Sequence, residues 1–558
     1  MQFSAVDLIV VLAYLGLTLA LGLYQARKIK GSGDYFAGGR KFNKFLMMMH
    51  ALGTGTHADD PVGVAGASFQ RGLSGIWYTF VYLFVTPFYW IIAPLFRRAR
   101  FLTTSDFFEA RFGAKLGLLY AVMGVLTFSI NIGTMLKGTG AITNAVTQGA
   151  FPEWLAIALM TGVFIAYGTA GGLIATVMTE SVQGLLIVVM SLLLVPFGLA
   201  KVGGFAGLHE LLDSSKFTLS TPLELSVLWI IGATIANLIG IVSQPHIMEV
   251  CSTGKTEWEG RIGFTYGTFI KRFCALGWAL TGVIVFAMVT NGSLGELTHR
   301  EDAFGTAIRV LLPTGFTGLM IAAILAAQMS SLSAFMVAAS ALLSRNVYKK
   351  WINPAADDHR VVVTARWAGL VTVAFGVLFA FLVPGVADAL TIFWAVTTFT
   401  GLFMWFGVLW RKTNAAGAWA SFAVMVPIWI LLGPIGAKLH ELYPAIGWLG
   451  MYGDKSQLHL LLLAYLPAGV VALVVGSLIG KPLDKKVLDN FYLLLRTPVG
   501  MEHKLKEAGV DVVYAGASEG HPWELKHGKV VNVVGFLIAL SVSLGLLGLL
   551  YVLSRIGA

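Results

Sequence analysis

Apolar segments long enough to cross a bilayer recur along the whole chain and are separated by short polar loops. A membrane-spanning helix needs about 20 predominantly apolar residues. The pattern therefore predicts an all-α polytopic membrane protein with about fourteen transmembrane helices. Their predicted limits are 6–26, 44–73, 75–96, 116–147, 153–170, 175–200, 225–250, 262–290, 314–345, 361–383, 387–411, 415–436, 457–480 and 530–553.

Composition and charge agree with this pattern. The 558 residues are 57% hydrophobic and 12% charged, whereas a soluble chain of this length would carry more surface charge. Roughly 28 of the 39 Lys and Arg residues follow spans one, three, seven, nine, eleven and thirteen, which predicts that these loops are cytoplasmic and both termini extracytoplasmic. The net charge of +10 thus reflects the topology of a multi-pass plasma-membrane protein, and no nucleic-acid partner is expected. The two cysteines, Cys251 and Cys274, predict neither a disulfide framework nor a metal site.

Two predicted spans are interrupted in the middle by glycine, proline and polar residues. The second span contains GTGTHADDPVGVAG, Gly53 to Gly66, and the seventh, five spans later, contains NLIGIVSQP. A broken helix offers backbone carbonyls to a cation and N–H groups to an anion, and a membrane tolerates it only around a cavity. Paired interrupted helices at corresponding positions of two halves indicate the binding site of a secondary transporter.

Four further stretches resemble motifs of one family. SGDYFAGGRKFN follows the first span, YGTAGGLIATVMTESVQGLL covers 167–186, GLMIAAILAAQMSSLSAFMVAASALLSRNVY covers 318–348, and VLWRKTNAAGAWAS ends a later helix. With these motifs in this order, the chain resembles the sodium/solute symporter family, whose members include transporters of sugars, amino acids and carboxylates. The resemblance implies a LeuT-like fold with five-plus-five inverted repeats, extra flanking helices and alternating access.

The pattern and the resemblance together divide the chain into five segments. The predicted segments are an extra N-terminal helix and cytoplasmic loop at 1–43, a transporter core at 44–411 with repeats at about 44–200 and 225–411, accessory helices at 412–480, a polar cytoplasmic connector at 481–529 and a C-terminal helix at 530–558. The connector contains an amphipathic stretch that is typical of a helix at the membrane interface.

A sodium site is predicted on the ninth span. Ala327, Ser330 and Ser331 stand at i, i+3 and i+4 and share one helix face, where two hydroxyls and a carbonyl can bind Na⁺. The spacing alone has an alternative explanation, because small residues also allow helices to pack closely in membranes. The resemblance favours the sodium site and adds the carbonyls of Gly53 and Thr56 from the broken second span.

The resemblance also implies a second cation site at Glu180 as one interpretation of this residue. Some relatives have an aspartate there and combine it with serines of the sodium helix, and Ser330 and Ser333 match two of these serines. The next matched position is Ala334, and the carboxylate here is one carbon longer. Glu180 therefore has two alternatives to a second Na⁺: it binds a proton, or it forms a structural ion pair.

For the solute, sugar-transporting relatives place polar residues on the broken helices and on the third and eighth spans. The matching residues of this chain are Asp60, Thr79, Asn237 and Lys271. Lys137 is a further charge deep in the fourth span, and a buried charge is tolerated only when paired. An ion pair of Lys137 with Asp59 or Asp60 is expected, either to stabilise the break or to orient the solute.

These observations predict a sodium-coupled symporter that imports a small polar organic solute, such as a sugar, amino acid or carboxylate, and that is not an enzyme. The expected partners are the solute, Na⁺ as the coupling ion and the lipid bilayer. No organic cofactor is expected, and the sequence does not predict an oligomeric state. The alternatives are a proton-coupled symporter of the same fold and a solute sensor that signals through 481–529. An intramembrane metalloenzyme using His57, Asp59 and Asp60 lacks the further His or Cys cluster that would complete its site.

Overall fold

The computed structural model describes residues 4–26, 40–222, 224–445, 447–453, 457–512 and 519–558. Helices dominate these residues, which contain no β-strand and only one isolated bridge, between Phe42 and Gly254. The predicted all-α class is confirmed. Polar side chains fix the starts of several helices: Asn43 accepts from the Leu46 N–H, and Thr256 and Glu259 form a capping box at the start of a 34-residue helix.

The helices that precede the second break are numbered in chain order. They are α1 (Ala5–Ala26), α2 (Lys44–Thr54), α3 (Asp59–Arg71), α4 (Trp77–Phe80), α5 (Thr86–Ala99), α6 (Thr104–Phe112), α7 (Ala114–Val146), α8 (Glu153–Val202), α9 (Gly204–Leu211) and α10 (Val227–Gly240). Short 3₁₀ segments at 72–76, 214–217 and 241–243 join some of them.

The helices that follow this break complete the bundle. They are α11 (Pro245–Ser252), α12 (Glu257–Thr290), α13 (Asp302–Leu311), α14 (Phe316–Ala341), α15 (Asp358–Leu382), α16 (Val386–Leu409), α17 (Ala415–Leu432), α18 (Pro434–Leu442), α19 (Gly447–Gly453), α20 (Leu458–Ile479), α21 (Lys485–Arg496), α22 (Glu502–Glu507) and α23 (Pro522–Leu553). A π-helical segment, Leu342–Ile352, extends α14.

Nine helices within the described ranges are long and apolar enough to cross a membrane, or ten if the bent pair α10–α11 is one span. The predicted count of about fourteen is not confirmed. The breaks account for part of the difference, since α2, α3 and α5 are each too short to be counted alone. The predicted fifth and sixth spans lie in one continuous helix, α8, because no proline separates them. The C-terminal helix begins at Pro522, eight residues before the predicted limit.

Both predicted helix interruptions are present. The first separates α2 from α3 at residues 55–58, and the second bends α10 and α11 by 63° at Gln244, directly before Pro245. Proline at the first position of α11 suits this place, because its missing N–H would be unpaired there in any case. α12 packs along α2, α3, α5 and α8, and α14 packs against α2 and α8. The two long helices therefore face the interrupted backbone of the first break.

The connector lies against the protein. α21 buries Phe491, Tyr492, Leu494 and Leu495, and it packs on α5 and α6. The following segment joins a cluster of buried charges at the side of the bundle that carries Arg97, Arg98, Arg100 and Lys255, which we call the basic face. Arg98 bonds Glu257 at 2.8 Å and Glu524 at 3.0 Å.

Arg261 of α12 completes this cluster. Its Nε lies 2.6 Å from the Glu524 carboxylate, and both side chains are fully buried. Arg100 donates to the carbonyl oxygens of Thr497 and Pro498 and pairs with Glu502 at 2.9 Å. The connector and the start of α23 are thus fastened to the ends of α5 and α12.

Candidate functional site

Side chains from α12 and α14 satisfy the backbone of the first interrupted helix. The Ser331 hydroxyl lies 2.8 Å from the Gly53 carbonyl oxygen and 3.2 Å from that of Ala327. The Ala58 N–H donates to Gln328 Oε1 at 3.2 Å, and Lys271 Nζ donates to the Gly55 carbonyl. Breaking the helix frees these groups, and buried backbone groups need partners. Two helices, α12 and α14, therefore converge on residues 53–58.

Three of the predicted sodium ligands meet at this point. Gly53, Ala327 and Ser331 bring two carbonyl oxygens and one hydroxyl into the same buried region. Thr56 is also buried, and it shares the lining of a small neighbouring cavity with Ala327. The side chain of Ser330 lies outside the described residues. Position 53 requires glycine, because a Cβ there would lie 2.9 Å from Glu180 Cγ.

Glu180 has partners within the protein. Its Oε2 lies 2.6 Å from His50 Nδ1, and its Oε1 accepts from the Thr54 hydroxyl at 3.0 Å. His50, Thr54 and Glu180 are all buried. Ser333 does not join them, because its hydroxyl donates to the Met329 carbonyl of its own helix at 2.8 Å. Over the described side chains, no hydrogen bond joins Ser333 to Glu180, the two residues named for a second cation.

A cavity of about 90 Å³ lies beside the first break. Of the predicted solute residues, Asp60, Thr79 and Lys271 line it. Asn237 does not: it is fully buried, and its side-chain amide donates to the Ala233 carbonyl of its own helix at 2.8 Å. An asparagine inside a helix can satisfy its own backbone in this way. Asn237 therefore does not line this cavity, and its role in solute binding stays a prediction.

The ion pairs of the site also differ from the prediction. Lys271 Nζ lies 2.7 Å from Asp60 Oδ2, with both side chains about nine-tenths buried. Lys137 Nζ instead lies 3.0 Å from Glu153 Oε1 at the start of α8. The expected pair of Asp59 and Lys137 is thus corrected to Glu153 and Lys137. Asp59 Oδ1 faces His57 Nδ1 at 3.3 Å.

The cavity has further lining residues besides the predicted solute-binding set. Arg272, Asn131, Gln244, His246, Thr268 and Trp394 line the cavity, together with the aromatic residues Tyr78, Tyr82, Tyr89, Phe335 and Phe393. Arg272 directly follows Lys271, and two adjacent cations in the middle of an apolar helix were the available signal. The sequence carried the same kind of signal for Gln328 and His50, because both are polar residues inside apolar stretches.

A charged network adjoins the cavity wall on the side of the bundle that carries Arg71, Glu224 and Arg300, which we call the opposite face. The Tyr78 hydroxyl donates to Glu224 Oε1 at 2.7 Å, and Arg71 bonds the other oxygen of this carboxylate at 3.2 Å. Arg300 lies 3.7 Å from Glu224. A residue of the cavity wall is thus tied to a loop on the opposite face.

Two interrupted helices around a polar cavity define the architecture of a secondary transporter. The sequence matches the model of the sodium:solute symporter family over residues 35–424, so the chain belongs to this family. It is 24% identical to the sodium/glucose cotransporter of Vibrio parahaemolyticus, over 77% of this chain and 85% of that protein. It is 28% identical to the osmoregulated proline transporter OpuE of Bacillus subtilis, over 74% and 87%.

A third relative is the sodium/pantothenate symporter of Haemophilus influenzae, 26% identical over 74% of this chain and 87% of that protein. The fold matches that of a Na⁺-coupled sialic acid symporter in a substrate-bound, outward-open state, with a TM-score of 0.70 at 16% identity, over 87% of this chain and all of that one. The LeuT-like class is therefore confirmed. The protein is a multi-pass membrane transporter, not an enzyme, and its family couples a small solute to sodium.

Proposed function

We propose that this protein imports a small organic solute together with Na⁺ by alternating access, and that Na⁺ binds between the first break and α14. The observation that carries the proposal is the Ser331 hydroxyl, held 2.8 Å from the Gly53 carbonyl and 3.2 Å from the Ala327 carbonyl. A hard cation takes oxygen ligands, and these three come from two helices that meet at an interrupted backbone. The Thr56 carbonyl and Ser330 hydroxyl are the remaining proposed ligands.

The same break borders the solute cavity, which gives a physical basis for coupling. Gly53 belongs to the proposed sodium site, while Gly55, His57 and Asp60 line the cavity. Na⁺ that fixes the conformation of residues 53–58 also fixes these cavity residues, so the solute binds better when Na⁺ is bound. Moving one Na⁺ inward across 100 mV contributes about 2.3 kcal/mol to the uptake of a neutral solute.

Alternating access requires that the two ends of the cavity open in turn. The Tyr78–Glu224 bond closes the opposite face, and Arg97 donates to the Gly254 and Lys255 carbonyls on the basic face. Solute entry from the opposite face breaks the first contact. The bend between α10 and α11 and the break between α2 and α3 supply the hinges.

Uptake into proteoliposomes tests this function. The names of the relatives suggest radiolabelled glucose, proline and pantothenate as the first probes. An inward Na⁺ gradient is expected to drive accumulation of at least one probe, and replacing external Na⁺ with choline abolishes it. Accumulation that follows an imposed pH gradient, and is equal in Na⁺ and choline, supports the proton-coupled alternative instead.

A further inference from the structure

Arg272 is a buried cation in the wall of the solute cavity. It is 3% exposed, and its guanidinium carbon lies 5.0 Å from the centre of the Tyr82 ring. Its Nε has no hydrogen-bond partner among the residues that the structure describes. A guanidinium remains protonated at any physiological pH, so this position carries a permanent positive charge inside the membrane.

The carboxylates that line the cavity are held by other groups. Asp60 is paired with Lys271 at 2.7 Å and accepts from the His57 N–H at 3.0 Å. Asp59 faces His57 and stands in the first turn of α3, where the helix dipole favours a negative charge. Over the described ranges, no carboxylate oxygen lies within the 4.0 Å limit of an ion pair with Arg272.

Within the family function proposed above, we infer that Arg272 binds the anionic group of the solute, and that the transported class is small organic monocarboxylates. A buried charge without a counter-charge is costly, and a solute carboxylate removes that cost when it enters. The planar guanidinium matches a carboxylate in two parallel hydrogen bonds. Since Lys271 is already paired with Asp60, Arg272 is the cation of the cavity wall that has no carboxylate at ion-pair distance over the described residues.

The remaining residues of the cavity wall restrict the chemistry of the solute beyond its carboxylate. Tyr78, Tyr82, Tyr89, Phe393 and Trp394 form an aromatic lining, which suits an apolar or ring-bearing body next to the charged end. A further consequence concerns charge: one Na⁺ and one monoanion carry no net charge together, so the membrane potential does not drive their uptake.

Matched acid and amide probes test the assignment by thermal shift of the purified full-length protein, with and without Na⁺. The probes are nicotinate with nicotinamide, lactate with lactamide, and pantothenate with its neutral alcohol, with inorganic phosphate as a separate arm. We expect carboxylates to raise the Tm and their neutral partners to leave it unchanged. Stabilisation by neutral probes alone, or by phosphate but not carboxylates, overturns the assignment.

Two variants connect the response to the residue. Arg272→Gln is expected to weaken carboxylate binding by about 30-fold or more, as for loss of one partner of a buried charge pair. Arg272→Lys keeps the positive charge and should retain part of the carboxylate binding. A loss that is larger in Arg272→Gln than in Arg272→Lys is then due to the charge and not to a folding defect. Lys137→Gln, whose partner is Glu153 and not the cavity, is the control. Equal carboxylate affinity in wild type and Arg272→Gln also overturns the assignment.

The Na⁺ arm separates this inference from the proposed function. Carboxylate binding that requires Arg272 but is indifferent to Na⁺ supports the solute class and contradicts sodium coupling. Na⁺-dependent binding of a neutral probe alone supports coupling and contradicts the solute class.

Discussion

His50 Nδ1 lies 2.6 Å from Glu180 Oε2, and both side chains are fully buried. The Thr54 hydroxyl is 3.0 Å from each partner, so three residues of α2 and α8 form one hydrogen-bonded group. The carboxylate that the resemblance relates to a second cation is thus engaged by the protein itself. We therefore expect one coupling cation, at the proposed Ser331 site.

The first prediction follows from this group. Na⁺ should activate uptake with a Hill coefficient of about 1 if the proposed Ser331 site binds the single coupling cation. His50→Ala should lower the stability of the purified protein by about 1–3 kcal/mol, as the buried carboxylate loses a hydrogen-bonding partner. His359→Ala, at an exposed position, serves as the control. Sigmoidal Na⁺ activation in the wild type contradicts the single-cation interpretation.

Ser331 and Ser333 offer a matched comparison on one helix. Both hydroxyls are buried, but only that of Ser331 reaches across to Gly53, whereas that of Ser333 bonds its own helix. Ser331→Ala should raise the Na⁺ concentration for half-maximal uptake about tenfold, which corresponds to about 1.4 kcal/mol. Ser333→Ala should leave it within about twofold. Equal shifts in the two variants, measured in Na⁺ titrations of uptake, remove Ser331 from the site.

Substitution of Gly53 tests how closely the residues around the proposed sodium ligands are packed. A Cβ at this position would lie 2.9 Å from Glu180 Cγ, so Gly53→Ala must displace either the α2 backbone or the buried carboxylate. We expect a loss of about 1–3 kcal/mol in stability together with weaker Na⁺ activation. At Gly16 of α1 no atom lies within 4 Å of an added Cβ, and Gly16→Ala is the control. Normal Na⁺ activation in Gly53→Ala would falsify the proposed carbonyl ligand.

The Asp60–Lys271 pair can be separated into structural and binding roles. Asp60→Asn leaves Lys271 buried without a carboxylate, and loss of one buried partner costs about 3–5 kcal/mol. The double variant Asp60→Asn/Lys271→Gln removes both charges and should recover most of the lost Tm. Uptake should remain low in the double variant, since the wall of the cavity has changed. Full recovery of uptake would limit the pair to a structural role.

Glu524 is expected to be the most sensitive residue of the connector region. Glu524→Gln removes the counter-charge of Arg98 and Arg261 at a fully buried position and should destabilise the protein by about 3–5 kcal/mol. Asp489→Asn also breaks an arginine pair, with Arg411, but both partners are about half exposed. Such surface pairs contribute about 0–1 kcal/mol. Similar melting temperatures for the two variants would contradict the burial of Glu524.

The sequence indicated the interruptions and the helix faces because these are local properties. Glycine and proline mark residues 53–61 and 245, and i, i+4 spacing places Ala327 and Ser331 on one side of α14. Pairings between helices are not local. The sequence places Lys137 and His50 inside apolar stretches, but only the packing of α7, α8 and α2 decides that their partners are Glu153 and Glu180.

The clustered charges of the basic face have a consequence for biosynthesis. Arg98 and Arg261 precede Glu524 by 426 and 263 residues, so the ribosome delivers both arginines long before their counter-charge. Arg98 also has Glu257, but Arg261 at the start of α12 lacks its carboxylate until Glu524 emerges, and enclosing it before then is costly. We therefore expect a nascent chain stalled before residue 524 to be more accessible to chaperones and proteases than the full chain.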